Sequence, residues 1–188
     1  MTELKGMFKK NKDLYKGNNA LLDSLVNIAG NKDSMPEFMK LVRQVESGGK
    51  YRPKLEKTDF PFGNPNAKAS TSTAAGVYQF TEKSVKTAKN RAKNIGIDPG
   101  FINLISNDPR QWTDQEADIM FLGNMFASEV LDKTYGGLRG RPGLVDSLLA
   151  EAFKPNNPSF DAMEDLYYTT HHTAPDEATK ARVKQIFK

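Results

Sequence analysis

The sequence predicts a predominantly helical α+β fold, on three observations. Apolar residues recur at helical spacing in several separate stretches, and Ser, Thr, Pro and Gly stand where such helices begin and end. Between Lys50 and Ser72 that period gives way to Pro, Gly, Asn, Lys and Thr with isolated aromatics at Tyr51, Phe60 and Phe62. This reads as a long loop or a small irregular sheet. No internal repeat, low-complexity tract or long hydrophilic linker divides the 188 residues, so one domain with a helical extension suffices.

Composition narrows the function classes. Hydrophobic residues make up 38% and charged residues 27% of the chain, which excludes a disordered protein. No apolar run approaches the length of a bilayer span, so membrane insertion is not expected. Cysteines are absent and disulfides play no part. A net charge of +4 favours anionic polymers such as cell wall, lipopolysaccharide or nucleic acid without choosing among them. The lysines of Met1 to Lys12 are not followed by an apolar run, so this stretch does not read as a secretory signal.

In chain order, Leu21, Leu22, Leu25 and Ile28 give the first helix, which Gly30-Asn31 stops. Residues 1–33 are expected to form an N-terminal helical extension packed on a domain of residues 34–188. The next helix is expected to open with a capping box, Ser34 with Glu37, and Pro36 in the first turn. Phe38, Leu41, Val42 and Val45 form its apolar face, and Gly48-Gly49 ends it. Thr81 caps a helix to about Asn94, with Gly96 beyond its end. Phe101 to Ile105 is a short apolar run broken by Asn107-Asp108-Pro109. Thr113 with Glu116 forms a capping box for a helix whose wide apolar coverage, from Ile119 through Leu131, marks it as central and buried. Leu144, Val145, Leu148, Leu149, Ala152 and Phe153 line another helix, opened by Pro142 after a turn containing Arg139 and Arg141. Val183, Ile186 and Phe187 dock a final helix.

Two stretches carry chemistry. Glu46 follows Val42 by four and sits in the last turn of its helix, where apolar neighbours and the negative end of the helix dipole favour a protonated carboxyl. A carboxyl so placed suits general acid work. The second stretch, Ala74-Ala75-Gly76-Val77-Tyr78-Gln79-Phe80, combines a small-residue turn with an aromatic face and an amide, a combination that binds sugars. Read without Ala74–Phe80, Glu46 merely ends an amphipathic helix.

A helix-terminal Glu46-Ser47 followed by Ser70, Ala74, Gly76 and Gln79 at the spacing Ser-x-x-x-Ala-x-Gly-x-x-Gln resembles the catalytic core of lysozyme-like lytic transglycosylases, particularly phage lysins. The resemblance covers about residues 34–157. It implies a lysozyme-like fold, with residues 50–80 forming one lip of a cleft, and peptidoglycan glycan strands as substrate and partner. The bond cleaved would be that between N-acetylmuramic acid and N-acetylglucosamine, leaving 1,6-anhydro ends. Glu46 would be the single acid and base, with no cofactor and no metal. Ser47 would support Glu46, and Ser70, Gly76, Tyr78 and Gln79 would hold the sugar. The family's Ala-Tyr-Asn segment, whose Tyr and Asn face the acid, is replaced here by Ala152-Phe153-Lys154. Tyr167, Tyr168, Thr169 and Thr170 are candidates for the missing hydroxyls. The resemblance further implies action on the bacterial wall after holin-type release or carriage in a virion, with other virion proteins as further partners.

Two alternatives remain open at this level. A hydrolytic muramidase would need a second carboxylate, for which Glu56 and Asp59 are candidates. A wall-binding virion protein would keep the fold without turnover, and the changes at Phe153 and Lys154 fit it. The basic run Lys83, Lys86, Lys89, Arg91 and Lys93 is spread round its helix without interleaved aromatics, so nucleic acid is not an expected partner. His171-His172 has no third ligand at zinc-like spacing. Trp112, just before a helix, reads as a core staple ahead of a sugar platform.

Overall fold

The computed structural model describes residues 19–47, 74, 76–134, 144–171 and 176–187. These residues are predominantly helical, and among them there is no strand, only bridge residues at Phe80 and Ile97. The expected irregular β region falls mostly on residues outside the described set, and its described end, Gly76–Gln79, is a turn. Eight α-helices appear among the described residues, α1 (Asn19–Asn27), α2 (Glu37–Ser47), α3 (Glu82–Asn94), α4 (Pro99–Leu104), α5 (Asp114–Thr134), α6 (Leu144–Ala152), α7 (Phe160–Thr170) and α8 (Glu177–Ile186), with a short 3-10 helix at Pro109–Gln111.

The central helix is α5. Ile119, Met120, Phe121, Leu122, Met125 and Phe126 are all buried, so it meets neighbours on most of its circumference. Its start is fixed as the sequence indicates, with Thr113 N–H on Glu116 Oε2 at 2.7 Å and Glu116 N–H on Thr113 Oγ1 at 3.2 Å. Helix α3 crosses α5 at a small-residue contact: a Cβ on Gly123 would stand 2.7 Å from the Cβ of Ala92. Thr81 caps α3 by accepting from Ser84 N–H at 3.1 Å, and Ser84 Oγ in turn accepts from Thr81 N–H at 2.8 Å.

The basic residues of α3 divide by position. Lys83 and Lys86 are exposed. Lys89 donates to the Ile105 carbonyl and, at 2.8 Å, to Asn107, and Lys93 donates to Asn103 at 2.7 Å. Arg91 donates to Asn124 on α5 at 2.7 Å. Three of the five cations thus tie α3 to its neighbours.

Leu22, Leu25 and Val26 of α1 belong to the same hydrophobic core as α5, and α8 enters that core through Val183 and Phe187. Trp112 is buried too, its Nε1–H on the Ser106 carbonyl at 2.8 Å and its ring 5.3 Å from Phe80, as expected of a staple.

Two elements differ from expectation. Helix α2 begins at Glu37, and the Pro36 carbonyl accepts the Lys40 N–H at 3.1 Å, so Pro36 and not Ser34 stands at the cap. Helix α7 was not anticipated. Ser159 caps it, accepting from Ala162 N–H at 3.2 Å, and Met163, Leu166, Tyr167 and Thr170 form its buried side. With α6 it makes a helical hairpin, closed by the Ser159 N–H on the Glu151 carbonyl at 3.2 Å.

Candidate functional site

Glu46 lies in the last turn of α2, as its spacing from Val42 and Val45 requires. Its side chain is 11% exposed. The Tyr167 hydroxyl, from α7, donates to Glu46 Oε1 across 121 positions of sequence. Tyr167 is itself fully buried, and its phenol is pushed well above its ordinary range, first by burial and then by Glu46, so it remains a neutral donor. One helical turn further on, His171 Nε2 stands 3.6 Å from the same Oε1. From α8, Arg182 donates to the Val45 carbonyl at 2.8 Å and brings a cation to the C-terminal end of α2.

The turn Gly76–Gln79 adjoins this site through Phe80, whose ring centroid is 6.0 Å from that of His171. Gly76 has φ +76°, and a Cβ there would lie 3.0 Å from the Pro109 carbonyl oxygen. The glycine therefore serves both a left-handed turn and a close backbone approach. Gln79 is half-buried at φ +50°, and its Nε2 donates to the Gly76 carbonyl at 2.8 Å, stabilising the turn that carries it.

Three expected site residues are corrected. The Tyr78 ring is 1% exposed and stacks on Phe121 at 4.2 Å, so it offers no face to a sugar. Its hydroxyl donates to Asp118 Oδ1 at 2.7 Å and accepts from Arg43 Nε at 3.1 Å. Ser47 is buried, and its hydroxyl donates to the Arg43 carbonyl at 2.9 Å, closing the last turn of α2. Tyr168 is half-buried with its edge to Tyr167, and its hydroxyl is buried without a hydrogen-bond partner among the described residues. Burial first, then Glu164 and Glu177, push that phenol above its ordinary range.

Phe153 is a core residue, edge-on to Phe38 at 5.4 Å, and Lys154 is exposed. Thr170 donates to the Leu166 carbonyl within its own helix at 2.7 Å. Ser70, Glu56, Asp59, Arg139, Arg141 and His172 lie outside the described residues. Among the described residues, no group of three His, Asp or Glu side chains is arranged to hold a metal ion. Nor is any helix long and apolar enough to cross a membrane.

Behind the site, a buried polar cluster holds α2, α5 and the end of α1 together. Arg43 NH2 meets Asp118 Oδ1 at 2.6 Å, Arg43 NH1 meets Asp114 at 2.9 Å, and Gly30 N–H donates to Asp118 Oδ2 at 2.7 Å. Burial disfavours the Arg43 cation, but Tyr78 and Asp118 more than offset it and raise its pKa.

Sequence reasoning missed both this cluster and the partnership of His171 with Glu46. Arg43 sits three positions before Glu46 within an otherwise apolar face, and that break in the pattern was its only local signal. No family model, curated protein or solved structure matches the chain.

Proposed function

We propose that the protein is a lytic transglycosylase of lysozyme-like fold, cleaving the β-1,4 bond between N-acetylmuramic acid and N-acetylglucosamine in peptidoglycan. The observation that carries this reading is a sheltered helix-terminal carboxyl, Glu46, that accepts a hydrogen bond from a buried tyrosine hydroxyl. The resemblance calls for a tyrosine hydroxyl facing the acid. Phe153 lacks one, and Tyr167 supplies it from the following helix.

In the proposed reaction Glu46 gives its proton to the leaving oxygen as the glycosidic bond breaks. The 6-hydroxyl of the same muramic acid residue then closes on its anomeric carbon, and its proton passes to the Glu46 carboxylate. The carboxyl ends as it began, and the product carries a 1,6-anhydro ring. Tyr167 keeps the carboxyl oriented and does not itself titrate. Gln79 and the backbone of the Gly76 turn remain compatible with holding the sugar, whereas the Tyr78 ring is engaged in the core. On this reading the protein reaches the wall by holin-type release or within a virion.

Mass spectrometry of soluble products from purified peptidoglycan, treated with wild type and with Glu46→Gln, tests the assignment. Release of 1,6-anhydromuramic ends by the wild type, and none by the variant, is the expected result. Reducing ends formed by water would instead make the protein a muramidase and direct attention to Glu56 and Asp59. No release by the wild type would leave a wall-binding protein.

A further inference from the structure

We infer that His171 is a second functional residue of this site, a positioning residue whose imidazole holds the Glu46 carboxylate in place. The two groups stand 3.6 Å apart, and each side chain is 11% exposed. Little solvent therefore separates or screens them. The imidazole is seated by aromatic rings, with centroids of Phe121 at 5.3 Å, Tyr167 at 5.8 Å and Phe80 at 6.0 Å. Its backbone N–H donates to the Tyr167 carbonyl at 2.9 Å, continuing the last turn of α7, so a helix and not a loop fixes where the ring lies.

An imidazole in this position acts on the carboxylate in two opposed ways. As a cation it attracts the carboxylate across that short gap, and as a neutral ring it withdraws the attraction. The charged and titratable groups around it come from each neighbouring helix. Glu46 comes from α2, and the neutral Tyr167 phenol comes from α7. Arg182 of α8 acts on Tyr167 in the sense opposite to Glu46. On α5, Asp118 lies one turn before Phe121, and Arg43 and Tyr78 engage it.

The kinetic consequence rests on the glycan-cleaving reading. Once Glu46 has given up its proton, the nearby imidazole steadies the new anion until the second proton arrives, without gaining or losing a proton itself. The coupling of the two groups does not depend on that reading.

The chain holds two histidines, His171 and His172, so ring NMR of the full chain carrying His172→Gln reports on His171 alone. Its titration midpoint is compared with Glu46 intact and with Glu46→Gln. Loss of the carboxylate is expected to lower the midpoint by about one unit or more. A midpoint that stays in place overturns the pairing. Near-UV circular dichroism checks the fold, and Glu46→Ala gives a second reading if the Gln variant disturbs packing. The pH profile of glycan release by His171→Gln provides the kinetic arm: a shifted profile supports the inference, and one that is scaled without moving opposes it. A moved midpoint without any glycan release would keep the pairing and remove the transglycosylase reading. Release with an unmoved midpoint would do the reverse.

Discussion

Replacing Asp118 with Asn should destabilise the protein by an amount its surroundings allow to be worked out. The side chain is 1% exposed and receives three donors, from Tyr78 and Arg43 on Oδ1 and from Gly30 on Oδ2. An amide keeps the shape but has one acceptor atom. Whichever way it turns, its NH2 group meets a donor, and Arg43 loses its buried counter-charge. Removing one partner of a buried ion pair costs ~3–5 kcal/mol. Asp114, at 2.9 Å from the other Arg43 nitrogen, still balances part of the charge, which places the expected loss near ~3 kcal/mol. For a chain of this size that corresponds to a fall of ~6–12 °C in Tm. Urea and thermal unfolding followed by far-UV circular dichroism measure it directly. Arg43→Met and Asp118→Leu combined with Tyr78→Phe should recover part of the loss, because neither of those charges nor the Tyr78 hydroxyl is then left buried alone. A loss below ~1 kcal/mol for Asp118→Asn, the range of an exposed pair, would refute the claim that this cluster is a desolvated unit.

Two further outcomes are expected. Tyr167→Phe keeps the ring and removes the hydroxyl on Glu46. A hydrogen bond to a charged group is worth ~1.5–3 kcal/mol, so glycan release should fall by roughly 10- to 100-fold and Tm by ~3–12 °C. Steady-state release assays on purified peptidoglycan read the first, and thermal unfolding reads the second. Gly123→Ala forces a methyl group to within 2.7 Å of the Ala92 Cβ and should cost ~1–3 kcal/mol in unfolding measurements, with Ala92→Gly restoring much of it.

Local signals carried the helical part of the fold. The Thr81 and Thr113 caps, the buried wrap of α5 and the docking residues of α8 all depend on neighbours within one or two turns, and such patterns are written in short windows of sequence. The last-turn position of Glu46 was legible for the same reason. What surrounds Glu46 was not. Tyr167 reaches it from 121 residues away, and no spacing rule connects the two. Tyr78 misled because a turn sequence says nothing about which way its aromatic faces. The ring turned inward, where Arg43 and Asp118 satisfy its hydroxyl. In the sequence His171 stands beside His172, a pairing that suggests metal, whereas in the fold it stands beside a carboxylate on another helix. The spacing of Met163, Leu166, Tyr167 and Thr170 after Ser159 would have announced α7, and with it two of the groups now found against Glu46.

That Glu46 is completed by α7 and backed by α8 has a consequence for the order in which the protein comes into being. Helix α2 leaves the ribosome early, with its carboxyl in place and its partners still unmade. Tyr167, His171 and Arg182 follow more than a hundred residues later. A nascent or prematurely ended chain can therefore contain the whole of α2 and still lack Tyr167, His171 and Arg182. The arrangement around Glu46 therefore forms only once α7 and α8 have been made.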